Sequence, residues 1–207
     1  MKHALIILLF LTGLSTALWA KKTDLTSYVN TLQGTNSKYE LTRGNTYPTT
    51  ALPWGMNLWT PQTGPNGSGW IYQHFKDSIR GFRQTHQCSS WTNDYSVFSL
   101  MPVSGKLEVN QYKRAAKFSH KNEIAHPDYY KVTFTNQVTT EMSPTERGVH
   151  MRFSFPTKRN SYVVLDAYKG GGYIKIIPSE HKIIGYNKNA NHSVPKQFAN
   201  YFVIEFD

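Results

Sequence analysis

The stretch Val149-His150-Met151-Arg152-Phe153-Ser154-Phe155 alternates apolar and polar residues without a break, the period of a strand with one buried and one wet face. A helix, turning about 100° per residue, would scatter the same apolar side chains around its axis. The surrounding sequence repeats the theme. Phe202, Ile204 and Phe206 share one face of the run 202–206, and residues 161–168, 173–177 and 182–186 are β-branched or aromatic runs. Gly170-Gly171-Gly172 and Pro178-Ser179 punctuate them, and both are turn formers. Residues 129–135 and 137–142 read as a strand pair joined around Asn136. Strand signals recurring about every ten residues favour an antiparallel sandwich over a βαβ sheet. Residues 106–126 carry the weakest pattern and are expected to form a short helix or an ordered loop. The fold class read here is all-β: an antiparallel β-sandwich with long aromatic-rich loops and at most a short helix.

Residues 45–99 differ in texture. They hold four of the five tryptophans (Trp54, Trp59, Trp70 and Trp91) among frequent glycines and prolines, the composition of long loops. Aromatic side chains on loops of a rigid β scaffold suit a surface that stacks on sugars. The C–H-rich face of a pyranose packs on an indole, and neighbouring polar groups take its hydroxyls. Core packing is the competing role for any one of these tryptophans.

With 39% hydrophobic and 17% charged residues, the 207-residue chain is too apolar to be disordered and too poor in charge for a coiled coil. Its single cysteine, Cys88, excludes an intramolecular disulfide. Met1-Lys2-His3, the apolar run 4–14 and the small residues Ser15, Thr16, Ala17 and Ala20 read as a secretory signal covering 1–20. The run is shorter than the roughly 20 residues that span a bilayer. Residues 21–207 are therefore expected to form one secreted or periplasmic domain, with no membrane contact after cleavage. Losing Lys2 lowers the net charge from +10 to +9. The basic residues lie singly or in pairs, without a nucleic-acid-binding signature, so nucleic acid is not expected as a partner.

One ordered series of motifs is more specific. Tyr28-Val29-Asn30-Thr31-Leu32-Gln33-Gly34-Thr35 precedes Ala51-Leu52-Pro53-Trp54-Gly55-Met56 and Thr60-Pro61-Gln62-Thr63-Gly64. Then come Ile79-Arg80-Gly81-Phe82-Arg83-Gln84-Thr85-His86-Gln87, Ser90-Trp91-Thr92-Asn93-Asp94-Tyr95 and Leu100-Met101-Pro102. This order resembles the amino-terminal domain of glycoside hydrolase family 92, the calcium-dependent exo-acting α-mannosidases. The resemblance implies a supersandwich-type β-sandwich, followed in the family by a linker and a large helical barrel. It implies inverting hydrolysis of terminal α-mannosides, often α-1,2-linked, with mannose-containing glycans as substrates. In inverting enzymes one carboxylic acid protonates the leaving oxygen and a second carboxylate activates water, the two standing roughly 6.5–9.5 Å apart. In the family both carboxylates and most of the calcium site belong to the barrel, which this chain is expected to lack. It is accordingly expected to be inactive by itself and not to bind calcium alone.

The resemblance also assigns site residues. In the family the sandwich loops complete the mannose pocket against the barrel. Gln84 and His86 match that edge, Trp91 is expected to stack on a sugar, and Asp94 to cap backbone N–H groups beside the pocket. Trp70 and Tyr72 are expected to form a second wall. Cys88 stands where the family's common wording has proline, and as a nucleophile it would need a base to make thiolate. No zinc spacing or Asp-rich calcium loop occurs. The competing readings are a stand-alone carbohydrate-binding sandwich and a polyanion-binding sandwich driven by the +9 charge.

Overall fold

The computed structural model describes residues 24–36, 46–86, 97–168, 171–189 and 195–207. The proposed signal at 1–20 lies outside them. The alternation that decides the fold forms a meander. β6 (Tyr130–Phe134) buries Tyr130, Val132 and Phe134, and β7 (Thr139–Pro144) buries Thr140 and Met142. Their turn closes around Asn136, whose Oδ1 accepts the Val138 N–H at 3.2 Å, while Gln137 takes φ 69°. β8 (Val149–Ser154) then pairs with β7 from Thr139↔Ser154 to Pro144↔Val149. On the other side of β6 lie β5 (Ala116–Ala125) and the two-residue β2 (Ser78–Ile79), giving the order β2-β5-β6-β7-β8.

Residues 106–126 are thus corrected. They contain a ten-residue strand, β5, rather than a helix or a loop alone. Eight of its residues are Lys, Ser, His, Asn, Glu or Ala, and it buries only Phe118, so no two-residue hydrophobic period marks it. A register irregularity between Phe118 and Glu123 further breaks its pattern. Pairing with β6 and the burial of Glu123's polar side chain hold it in place instead.

A second sheet runs β1 (Leu58–Gln62), β3 (Gly81–Thr85), β4 (Ser99–Ser104), β9 (Ser161–Asp166) in spatial order. A third runs β10 (Gly172–Ile177), β11 (Lys182–Asn187), β12 (Asn200–Glu205). Every strand pairing among the described residues is antiparallel. The three sheets share one core. Trp59, Phe82 and Met101 come from the four-stranded sheet, Tyr130, Val132 and Met142 from the five-stranded one, and Phe202 from the third. Phe82 packs its ring against Tyr130 and Phe134 at 6.1 and 6.2 Å. Truncating such a buried ring costs about 3–5 kcal/mol. The molecule is an all-β antiparallel sandwich, as the alternation predicts.

The segment before β1 is a strap rather than a free loop. Ala51 N–H donates to the Pro127 carbonyl at 2.8 Å and Met56 N–H to the Glu146 carbonyl at 2.6 Å. It thereby ties β1 to two turns of the five-stranded sheet. Helical structure among the described residues is limited to 3-10 turns at Leu25–Tyr28 and Pro178–Glu180, and no described helix is long and apolar enough to cross a membrane.

Candidate functional site

β3 positions the site. Side chains alternate along a strand, so Phe82 enters the core and Gln84, two residues on, faces the same side at the strand's end. Gln84 is buried, and its Oε1 accepts from Asn200 Nδ2 at 2.5 Å. Gln84 lines a cleft of about 560 Å³, whose wall also includes Asn57, Trp59, Phe98, Phe202 and Arg147, and Nε2 is the donor its amide keeps. Polar groups gather at the Gln84 end. Asn57 donates from Nδ2 to the Arg147 carbonyl at 2.5 Å and accepts from the Trp59 indole Nε1 at 3.0 Å. Trp59 is locked edge-on against Phe98, ring centroids 5.7 Å apart, and Phe98 packs on Phe202 at 4.5 Å. Part of the apolar lining comes from Val149, Met151 and Phe153 of β8, the half-buried face of the alternating stretch.

His86 is half-buried directly after β3. Trp91 and Asp94 fall at 87–96, outside the described residues, as does Cys88. The chain on either side of that stretch is fixed. The Tyr47 and Thr85 hydroxyls lie 2.9 Å apart, Gln84 N–H donates to the Phe98 carbonyl at 3.1 Å, and Asn187 Nδ2 donates to the Val97 carbonyl at 3.1 Å. The described backbone on both sides of 87–96 is thus hydrogen-bonded to neighbouring elements.

Trp70 and Tyr72 are placed elsewhere. Trp70 is half-buried in the loop after β1, where its backbone N–H donates to Ser68 Oγ at 3.1 Å. Tyr72 is 3% exposed in a small satellite core with Tyr47 and Ile71, its ring packed by protein rather than open to a ligand. Neither lines the cleft with Gln84.

The Tyr72 hydroxyl belongs to a buried polar cluster around Glu123, whose side chain is wholly inaccessible. Glu123 accepts from Tyr72 at 3.1 Å and from Tyr130 at 2.7 Å, and its Oε2 lies 2.6 Å from His120 Nδ1. His120 Nε2 lies 2.6 Å from the His74 carbonyl oxygen, and the two imidazoles stack at 3.8 Å, 4° from parallel. Burial, reinforced by the Glu123 charge, pushes both tyrosine hydroxyls well above the usual phenol range. With its oxygens taken by these partners, Glu123 braces β5 and has no lone pair directed at a substrate. Among the described residues, no group of three or more His, Cys, Asp or Glu is arranged to hold a metal ion.

Sequence reasoning missed Asn57 and Trp59 as cleft residues and Asn200 as the partner that orients Gln84. Asn57 and Asn200 gain meaning only from partners 90 and 116 residues away, and Trp59 stood among tryptophans read as loop residues.

A family profile described as the glycosyl hydrolase family 92 N-terminal domain matches residues 28–207. Among solved structures, the chain is similar to the family GH92 inverting mannosidase BT2199 of Bacteroides thetaiotaomicron VPI-5482. The identity is 49% and the TM-score 0.86, over 91% of this chain and 26% of that one. It is also similar to the family GH92 α-mannosidase BT3965 of Bacteroides thetaiotaomicron, at 25% identity and TM-score 0.69, over 79% of this chain and 24% of that one. The GH92 glycosyl hydrolase ccman5 shares the fold at 17% identity and TM-score 0.68, over 87% of this chain and 25% of that one. The chain spans about a quarter of the length of these structures. No curated protein matches.

Proposed function

The chain belongs to glycosyl hydrolase family 92, and from that premise we propose that it is the sandwich part of a secreted inverting α-mannosidase, supplying one wall of the mannose pocket. The observation that carries this reading is the 49% identity to an inverting mannosidase over 91% of the chain. The cleft supports it locally. Gln84 presents an amide donor whose orientation is fixed by Asn200, the arrangement that orients a sugar hydroxyl. The backbone leaving Thr85 leads directly into the stretch carrying Trp91, whose indole takes the C–H face of the pyranose.

In this reading the chain binds and orients, and proton transfer is done by carboxylates of the helical barrel expected from the family resemblance. Those two groups need the spacing of an attacking water between them, and the family's calcium acts in the same barrel. The parent reaction is hydrolysis of terminal α-1,2-linked mannose, with the stand-alone chain inactive.

Two measurements test the proposal. Incubation of the chain with α-1,2-mannobiose and calcium is expected to give no mannose above background, and clear turnover overturns the division of labour. Calorimetric titration with a mannoside is expected to show weak, roughly millimolar binding that Trp91→Ala and Gln84→Ala each abolish. Binding unaffected by both substitutions removes this wall from the pocket.

A further inference from the structure

Arg83, the neighbour of Gln84 on β3, faces the other side of the four-stranded sheet and is fully buried. The Tyr168 ring lies over it, its centroid 5.6 Å from the guanidinium carbon. Tyr168 in turn belongs to the wall of a cavity of about 580 Å³ that shares no lining residue with the Gln84 cleft. That volume falls within the roughly 300–1,000 Å³ of small-molecule sites. The wall is drawn from the loop after β1, the loop before β5, the end of β9 and the chain just past β11. Its hydrogen-bonding side chains are four amides, one carboxylate and two phenols, with no lysine, arginine or histidine among the described lining residues.

These groups are held from behind. Buried Arg114 donates to Asp166 Oδ2 at 2.5 Å, so the one negative charge in the wall is matched inside the protein. Asn66 Nδ2 donates to the same oxygen at 2.9 Å, and Asn66 Oδ1 accepts from buried Gln62 Nε2 at 2.8 Å. Gln62 Oε1 accepts the Tyr168 hydroxyl at 2.8 Å, and Gln111 Oε1 accepts the Asn66 N–H at 2.7 Å. The network fixes the wall before any ligand arrives, which lowers the ordering cost of binding. Spare capacity of both kinds remains. Gln111 keeps its Nε2 donor, and Asn110 keeps Nδ2, because its Oδ1 accepts the Tyr112 N–H at 3.0 Å. Asp166 Oδ1, which accepts the Tyr168 N–H at 3.0 Å, keeps a lone pair. Tyr112 adds an aromatic face. Arg80, tied to the Thr63 carbonyl at 2.9 Å, sits 4.6 Å over its ring, and Tyr112 is still 61% exposed.

A wall without an unmatched charge does not select an ion, and so many polar groups do not suit an apolar ligand. The matching molecule has hydroxyls that both donate and accept, carried on a ring whose C–H face packs on an aromatic. We propose that this cavity binds a neutral oligosaccharide, with one sugar ring against Tyr112, the next beside Tyr168, and hydroxyls held by Gln111, Asn110 and Asp166. Two tyrosines on separate stretches of chain call for at least two linked rings, so a single sugar does not fill the site. It is separate from the Gln84 cleft and does not depend on the mannosidase reading.

Saturation-transfer NMR on the whole chain tests this with two probes, maltotriose, which is curved and α-linked, and cellotriose, which is flat and β-linked. Transfer from protein to ring protons that saturates with probe concentration is expected for at least one. The stronger response identifies the backbone shape that the site accepts. Glycerol, which carries hydroxyls without a ring, is expected to show none. The response is expected to survive Trp91→Ala and to weaken about tenfold in Tyr112→Ala and in Gln111→Ala, each lacking one stacked ring or one hydrogen bond. Neither residue belongs to the core, and amide spectra of both variants verify that they fold. No transfer to either trisaccharide, equal transfer to glycerol, or a full response in either variant overturns the proposal. Loss of the response in Trp91→Ala moves the binding to the Gln84 cleft and also overturns it, while leaving the mannosidase reading intact.

Discussion

At the scale of single residues, the stacked His74–His120 pair turns packing into pH dependence. Burial holds the His74 imidazole below its ordinary value of 6.5, the neighbouring His120 adds to this, and the Glu123 charge opposes it. The unfolded chain therefore takes up a proton at higher pH than the folded one. The stability contributed by His74 is complete above about pH 6.5 and is lost as pH falls from there towards the depressed folded value. We expect Tm to drop between about pH 7 and pH 5, and His74→Gln to flatten that slope while leaving Tm at neutral pH within a few degrees. Thermal melts at stepped pH check this, and an unchanged slope in the variant assigns the acid sensitivity to other groups. Site residues were legible to different depths at this scale. Gln84 and His86 were read from a local motif, and the structure puts Gln84 on the cleft wall and His86 directly after β3. Tyr72 read as a ligand wall because an aromatic between turn formers says nothing about a carboxylate 51 residues away waiting for its hydroxyl.

At the scale of elements, the third sheet depends on a missing side chain. Gly185 of β11 lies between Tyr173 and Phe202, and a Cβ there would come within 2.4 Å of the Tyr173 carbonyl oxygen and 2.7 Å of the Phe202 ring. Neither can retreat easily, since one is ladder backbone and the other belongs to the core. Gly185→Ala is expected to destabilise by about 1–3 kcal/mol through overpacking, read as a lower midpoint in denaturant titration. An unchanged midpoint means that β10 shifts freely over β11. Strands that bury a simple apolar stripe were readable from sequence: the stretch 149–155 became β8, and 202–206 delivered Phe202 and Ile204 to the core. β5 was not readable, because its anchoring group is a buried carboxylate within a register irregularity and periodicity registers only apolar burial. The strands inside 45–99 were hidden for a related reason. β1, β2 and β3 are two to five residues long, and two of them are buried almost throughout, so they lack alternation as well as length.

At the scale of the whole molecule, apolar surface remains uncovered on the third sheet. Tyr173, Tyr186 and Tyr201 stand in register across its three strands, rings 6.0 and 5.5 Å apart, with Val203 beside them. Tyr201 is 74% and Val203 62% exposed. A contiguous patch of this kind is the usual mark of a surface meant to be covered. The chain by itself is therefore expected to self-associate as concentration rises, despite its positive charge. Light scattering over a dilution series checks this, with Tyr201→Lys/Val203→Lys expected to restore the monomer. A monodisperse wild-type chain at every concentration refutes it.

The two-sidedness of β3 constrains how the protein can vary. Gln84 and Arg83 face different sides of the sheet, one towards the cleft and one under the Tyr168 ring, only because a pleat separates adjacent side chains. Deleting or inserting one codon within Gly81–Thr85 would exchange the two environments in a single step. It would drive the guanidinium into the greasy compartment behind Trp59 and leave an amide facing Tyr168. Length variation among relatives should accordingly be absent from this strand, and recombination points chosen for grafting its flanking loops should leave all five of its residues in frame.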